Sequence, residues 1–204
     1  MDETIPILIA VEDALSEAIL RAMFEQSSRT FAVGACLGRE GSGYLKNNMR
    51  KFNKSARGIP FFVLTDLDQI DCPPTLINRW LAVPKHENLI FRIAVREIES
   101  WLLAHREAFA SFLGIQKSQL PLSPDDLEDP KNFLLKLTKK SKKQSLKKAI
   151  IPAAGSTAKI GPDYNGVLIS FVHNFWQVKK ASKNSPSLKR AFSAIKGFNP
   201  VWTK

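Results

Sequence analysis

Four acidic residues in the first half of the chain carry its clearest chemical signal: Glu12, the pair Asp66 and Asp68, and Glu99. Each follows an apolar run, residues 5–11 before Glu12, 59–65 before Asp66, and 89–95 shortly before Glu99. Residues i and i+2 of an extended segment face the same way, so Asp66 and Asp68 read as two carboxylates on one side. Mg²⁺ takes octahedral oxygen ligands and keeps several waters, so two or three carboxylates plus a substrate phosphate complete its shell. That is the ligand set of metal-assisted phosphodiester cleavage. Glu12, Asp66 and Asp68 are therefore candidate ligands for Mg²⁺ or Mn²⁺, and Glu99 a candidate further acid or base. Glu97 rivals Glu99 for that role. Plainer readings stand beside these. An Asp-x-Asp after a strand caps the next helix, Glu12, Asp13 or Glu17 sits at the positive end of a helix, and Glu99 pairs with Arg96 or Arg106.

Other constellations are poorer. Gly38 and Gly43 have the spacing of a phosphate-binding loop, but Tyr44 and Leu45 stand where Lys and Ser/Thr are required, which excludes ATP binding through that motif. The loop retains backbone N–H groups for a phosphate at the next helix. No Gly-x-Ser-x-Gly occurs, and Cys72 has no His near it in sequence. His86, His105 and His173 are scattered and read as surface or packing residues. Cys36 and Cys72 cannot make a disulfide framework, so a reducing cytoplasm is expected. The longest purely apolar run, residues 5–11, is far too short to span a membrane, and the acidic start Met1-Asp2-Glu3 is unlike a signal peptide.

The acids need a scaffold, and the apolar runs supply one. Residues 5–11 read as a buried strand, 30–37 as a second strand candidate, and 59–65 and 89–95 as a third and fourth strand, separated by helices over about 14–25, 44–55 and a short amphipathic stretch carrying Leu76, Ile77 and Trp80. A further helix runs from the fourth strand to about Phe112. Alternation of this kind predicts an α/β, Rossmann-like, mostly parallel sheet of about four strands flanked by helices. Ligands bind outside the carboxyl ends of strands in such sheets, so acids far apart in sequence would converge there. Beyond Gly114 the strand pattern stops. Helices are expected over about 131–150, broken near Ser141, and over about 163–178 and 187–195; Asp129-Pro130 has the form of a helix start. The chain of 204 residues thus divides into an α/β domain, 1–114, and a helical lobe, 115–204, packed on it.

Charge follows the same division. Residues 1–130 hold 14 Lys and Arg against 18 Asp and Glu, a net −4, whereas residues 131–204 hold 16 against 1, a net +15. Lys139, Lys140, Lys142, Lys143, Lys147 and Lys148 lie in an acid-free run, and Lys179 and Lys180 add to it. A Lys-rich, Arg-poor surface suits phosphate contact without base reading. Trp176, Phe198 and Trp202 lie among these charges as candidates for base stacking, although Trp176 reads better as core. The bland alternative is a solvated face kept for solubility.

The acid motifs of the first and third strands, Ile9 through Glu17 and Phe62 through Asp68, resemble the paired motifs of the TOPRIM fold of topoisomerases, primases and overcoming-lysogenization-defect-type nucleases. Asp13 stands where the first motif usually has Gly. The stretch from Phe91 to Ala104, and that from Ser185 to Phe192, resemble small stand-alone TOPRIM-like prokaryotic proteins. The resemblance covers about residues 5–104, and more loosely to Phe192. It implies Glu12 as first-motif acid, Asp66 and Asp68 as the metal-binding pair, and Glu99 as an added ligand or base. The function expected is a metal-dependent nuclease or nicking enzyme on nucleic acid. Related nucleases often work with an ATPase and this chain has no ATPase motif, so the resemblance further implies an ATPase partner in trans and a setting in anti-phage defence. Two alternatives stay open: a non-catalytic nucleic-acid or partner-binding subunit, and a Mg²⁺-dependent phosphohydrolase or phosphotransferase of small molecules. A homo-oligomer is compatible with the sequence, and no membrane association is expected.

Overall fold

The computed structural model describes residues 4–202. Four strands form one all-parallel sheet: β1 (Ile5–Val11), β2 (Phe31–Gly38), β3 (Phe61–Asp66) and β4 (Leu89–Ala94), in the order β2-β1-β3-β4. Helices α1 (Ala14–Glu25), α2 (Ser42–Ser55) and α3 (Pro73–Trp80) make the crossovers. The expected α/β Rossmann-like architecture is what the chain adopts. No helix among the described residues is long and apolar enough to cross a membrane.

The apolar runs of β1, β3 and β4 are continuous because both faces of the sheet are covered there, whereas the edge strand β2 has no fully buried residue. Ile7, Ile9 and Val11 of β1, with Phe62 and Leu64 of β3, enter one core, while Ala10, Phe61 and Val63 enter the other. The second core is closed by α2 and α3 through Leu45, Met49, Phe52, Leu76 and Trp80. The first is closed by α1 and by the C-terminal helices: α4 (Glu99–Leu103), α5 (Arg106–Leu113), α6 (Pro130–Lys139), α7 (Gln144–Ile150), α8 (Tyr164–Phe175), α9 (Val178–Ala181) and α10 (Pro186–Lys196). Trp101 Nε1 donates to Ser187 Oγ at 2.7 Å, and Trp176 Nε1 to the Trp101 carbonyl at 2.9 Å, so the basic helices share their core with the sheet.

Two expected helices differ in extent, and a third breaks where expected. The one running on from β4 is divided at His105, because the Asn184 side chain takes the Ala104 carbonyl and His105 Nδ1 accepts from Gln177 N–H. The one over 131–150 breaks at Ser141, whose hydroxyl donates to the Leu113 carbonyl. The one over 163–178 stops at Phe175, where Trp176 turns into the core, and α9 follows as a separate turn.

Candidate functional site

Strand order decides where the acids go. The chain leaves β1 to one side for β2 and returns past it to β3, so the carboxyl ends of β1 and β3 flank the switch point where open α/β sheets bind ligands. Glu12 is the first residue after β1 and Asp66 the last of β3. Glu12 Oε1 accepts from the Thr65 hydroxyl and from Asp66 N–H at 2.7 Å, which ties the two strand ends together and leaves Oε2 free. Gly38 makes room beside it. Its φ is +92°, and a Cβ there would stand 2.4 Å from the Val11 carbonyl, so only glycine fits where the Gly38–Gly43 loop turns back onto β1. Arg39 N–H and Gly41 N–H then donate to the Val11 and Glu12 carbonyls. Asp13 caps α1 by accepting from Ser16 N–H at 2.8 Å.

Asp68 arrives differently from the expectation. The extended chain ends at Asp66, and Asp68 has φ +49°, so the two carboxylates do not share a strand face. A left-handed turn carries Asp68 into solvent, held by its N–H to the Arg96 carbonyl and by Arg96 Nη1 to its own carbonyl at 3.2 Å. Its charge nevertheless reaches both Glu12 and Asp66.

The third contribution comes from beyond β4. Glu99 opens α4, is 1% exposed, and accepts from Tyr164 OH at 2.8 Å through Oε1. Lys131 Nζ stands 3.5 Å from the same oxygen, while Oε2 is buried without a partner. Glu97 is half-buried; its Oε2 accepts from Lys131 N–H at 2.8 Å, and its Oε1 lies 3.9 Å from Lys131 Nζ. Both rival glutamates thus reach the cleft. Glu97 caps the start of α6, and Glu99 is the enclosed acid with an open oxygen.

Burial and mutual repulsion raise these acids together. Burial pushes the Asp66 carboxyl well above the ordinary aspartate range, and Glu12, Glu99, Asp13 and Asp68 add to the rise. Burial also raises Glu12, against its hydrogen bonds to Thr65 and Asp66, and raises Glu99, against the charge of Lys131. Lys131 itself is raised: burial opposes its charge, but Glu99, Glu97, Asp66 and Asp13 prevail. Among the described residues no three His, Cys, Asp or Glu side chains are placed to share one ion.

Lys131 and Tyr164 are the residues that sequence reasoning missed. A signal for Lys131 existed, since Asp129-Pro130 marks the start of α6 and the residue after it projects from the helix N-terminus. Nothing local tells where that N-terminus points. The basic residues divide. Lys139, Lys140, Lys142 and Lys148 are exposed on α6, α7 and their link, and Lys179 and Lys180 are exposed on α9. Lys147 is half-buried, and Lys143 donates to the Ser111 and Phe112 carbonyls at the end of α5, so its ammonium serves the fold. Of the aromatic candidates, Trp176 and Phe198 are buried and Trp202 is 45% exposed.

The fold and the site define a Rossmann-like α/β protein with five carboxylates and one lysine gathered at the C-terminal edge of its sheet. The chain belongs to the family described as a domain of unknown function, DUF4276, whose model matches residues 10–170 and so spans every member of the acid cluster together with Lys131 and Tyr164. No curated protein and no solved structure matched it.

Proposed function

We propose that the chain is a metal-dependent phosphodiesterase of nucleic acid, a nuclease or nicking enzyme of TOPRIM-like type, working in the cytoplasm. The observation that carries this reading is the placement of Glu12, Asp66, Asp68, Glu97 and Glu99, with Lys131, along one sheet edge beside the β1/β3 switch point. The donors are hard carboxylate oxygens of the kind Mg²⁺ or Mn²⁺ takes, burial and crowding raise Asp66, and Glu99 Oε2 is a buried acceptor lacking a donor, although among the described residues no three such side chains stand at one ion position. Glu12, Asp66 and Asp68 would hold the ion. When bound it supplies Lewis acidity to a phosphoryl oxygen. The chain's own residues do the rest. Thr65 and the Asp66 N–H orient Glu12, Tyr164 fixes one oxygen of Glu99, and Lys131, against the burial that raises Glu99, favours the ionised form that can take a proton. The exposed lysines of α6 and α7 are proposed to hold phosphates. An ATPase partner in trans and a role in anti-phage defence belong to the same proposal.

Incubation with supercoiled plasmid, single-stranded DNA or RNA in Mg²⁺, Mn²⁺ or EDTA tests it. Cleavage is expected to require the ion, to vanish with Asp66→Ala, and to fall by about 10²-fold or more with Glu12→Gln. A second reading, a non-catalytic binding subunit, is favoured by the observation that no three of the described side chains meet at one ion position. Tight nucleic-acid binding with no cleavage under any of these conditions, with candidate ATPases added, would establish that reading instead.

A further inference from the structure

A cavity of about 750 Å³ lies at the opposite edge of the sheet, beside the N-terminal ends of β3 and β4. Arg50 and Lys54 of α2, Arg57 just after it, and Lys85 and His86 before β4 line it, with Glu87 the one acid among its lining residues. Among the described residues Arg50, Lys54, Arg57 and Lys85 form no ion pair. The end of α2 accounts for Lys54, since a helix C-terminus favours a cation. It does not account for Lys85, on another element, which faces a second like charge in Arg92. Lys85 donates to the Leu89 and His86 carbonyls, and Arg92 Nε is buried without a partner. Positive charge is therefore concentrated here well beyond what local acids balance.

Side-chain hydrogen bonds brace the walls. The Asn53 side chain bonds the Pro84 carbonyl and His86 N–H, and the Asn88 side chain bonds both the N–H and the carbonyl of Val201, at 2.7 and 2.8 Å. Val201 lines the cavity, and the next residue is Trp202. Of the four tryptophans, Trp80, Trp101 and Trp176 are buried and Trp202 is exposed. An exposed indole one residue beyond the held Val201, next in the chain to a wall of cations without ion pairs among the described residues, brings together the two elements of single-strand recognition, a stacking platform and phosphate-holding charge.

We propose that this cavity binds single-stranded nucleic acid, with phosphates on Arg50, Lys54 and Arg57, a base stacked on Trp202, and Lys85, held by backbone carbonyls, adding its charge to the wall. A duplex cannot supply the unstacked base without flipping it out. The strands between this cavity and the acids are about 20 Å long, so the site holds a strand and performs no chemistry on it. It stands whether or not the acids cleave, because stacking and phosphate contact need no metal.

The test uses the full chain and a fluorescein-labelled oligothymidylate in EDTA at low salt, read by anisotropy. The single strand is expected to bind more tightly than a duplex of equal length, and to quench the exposed indole of the wild type. Trp202→Ala is expected to weaken single-strand affinity about tenfold with the salt slope unchanged. Lys54→Gln with Arg57→Gln should make the slope of log affinity against log salt shallower by about 1.4. All three residues are exposed, and unchanged melting curves would confirm that the variants fold. The proposal is overturned if the single strand does not bind, if both variants bind as the wild type does, if Trp202→Ala weakens the duplex equally, or if affinity falls only when Lys139, Lys140, Lys142 and Lys148 are neutralised.

Discussion

Asp66 is where the physics of the acid cluster is most concentrated. It keeps only a narrow opening to solvent, and burial and four neighbouring carboxylates all disfavour its charge. Its pKa in the folded chain lies above that of the unfolded chain, so its favourable contribution to stability is present at low pH and lost as pH rises through the raised value. Glu12, Glu97 and Glu99 shift in the same direction. In EDTA the chain is therefore expected to lose stability from these groups as pH rises above the ordinary carboxylate range. Asp66→Asn removes one charge with little change of shape. Its melting temperature in EDTA should exceed that of the wild type once pH rises through the raised value, by about 2–4 °C per kcal/mol of relieved repulsion, with a flatter pH dependence. Added Mg²⁺ should raise the wild type and leave the variant nearly unmoved. A lower melting temperature for Asp66→Asn in EDTA would show that the carboxylate is a satisfied structural acceptor.

The elements reach the cleft through tight backbone passages, and Gly161 controls the one that delivers Tyr164. Its N–H donates to the Ile150 carbonyl, and a Cβ there would lie 2.3 Å from the Ala149 carbonyl oxygen, so the end of α7 and the approach to α8 are packed backbone to backbone. Gly161→Ala must push them apart, at a cost of about 1–3 kcal/mol, and withdraw the Tyr164 hydroxyl from Glu99. Tyr164→Phe removes only that hydroxyl and leaves Glu99 Oε1 with Lys131 alone, which should cost about 1–3 kcal/mol. Denaturant unfolding distinguishes the two. Comparable losses would place the cost of Gly161→Ala mainly in the Glu99 contact, and a larger loss for Gly161→Ala would place it in the backbone passage.

Across the whole molecule, negative charge gathers at the carboxyl edge of the sheet, while the positive excess lies on the helices and at the opposite sheet edge. The lysines of α6 and α7 do not act alike. Neutralising Lys139, Lys140, Lys142 and Lys148 together should flatten the salt dependence of duplex binding by up to about 3–4 units, since each phosphate contact releases a condensed counterion. Lys143→Gln should instead lower stability with little change of slope, because its ammonium closes the end of α5. An unchanged slope in the fourfold variant would move the duplex grip away from this face.

Local pattern alone determined the order of strands and helices, because a buried parallel strand needs an unbroken apolar run and a helix start needs its capping oxygen within a few residues. It also placed Glu12 and Asp66 at strand ends, where a parallel sheet gathers them. The tertiary structure decided the rest. Asp68 leaves the strand direction through a left-handed turn held by Arg96, which no period-two reading anticipates. Lys131 and Tyr164 join Glu99 only because α6 and α8 pack back on the sheet, and Tyr164 meets it across 65 residues of chain. Such meetings depend on how helices dock over a shared core, and the helix-forming sequence of each segment would be the same wherever it docked.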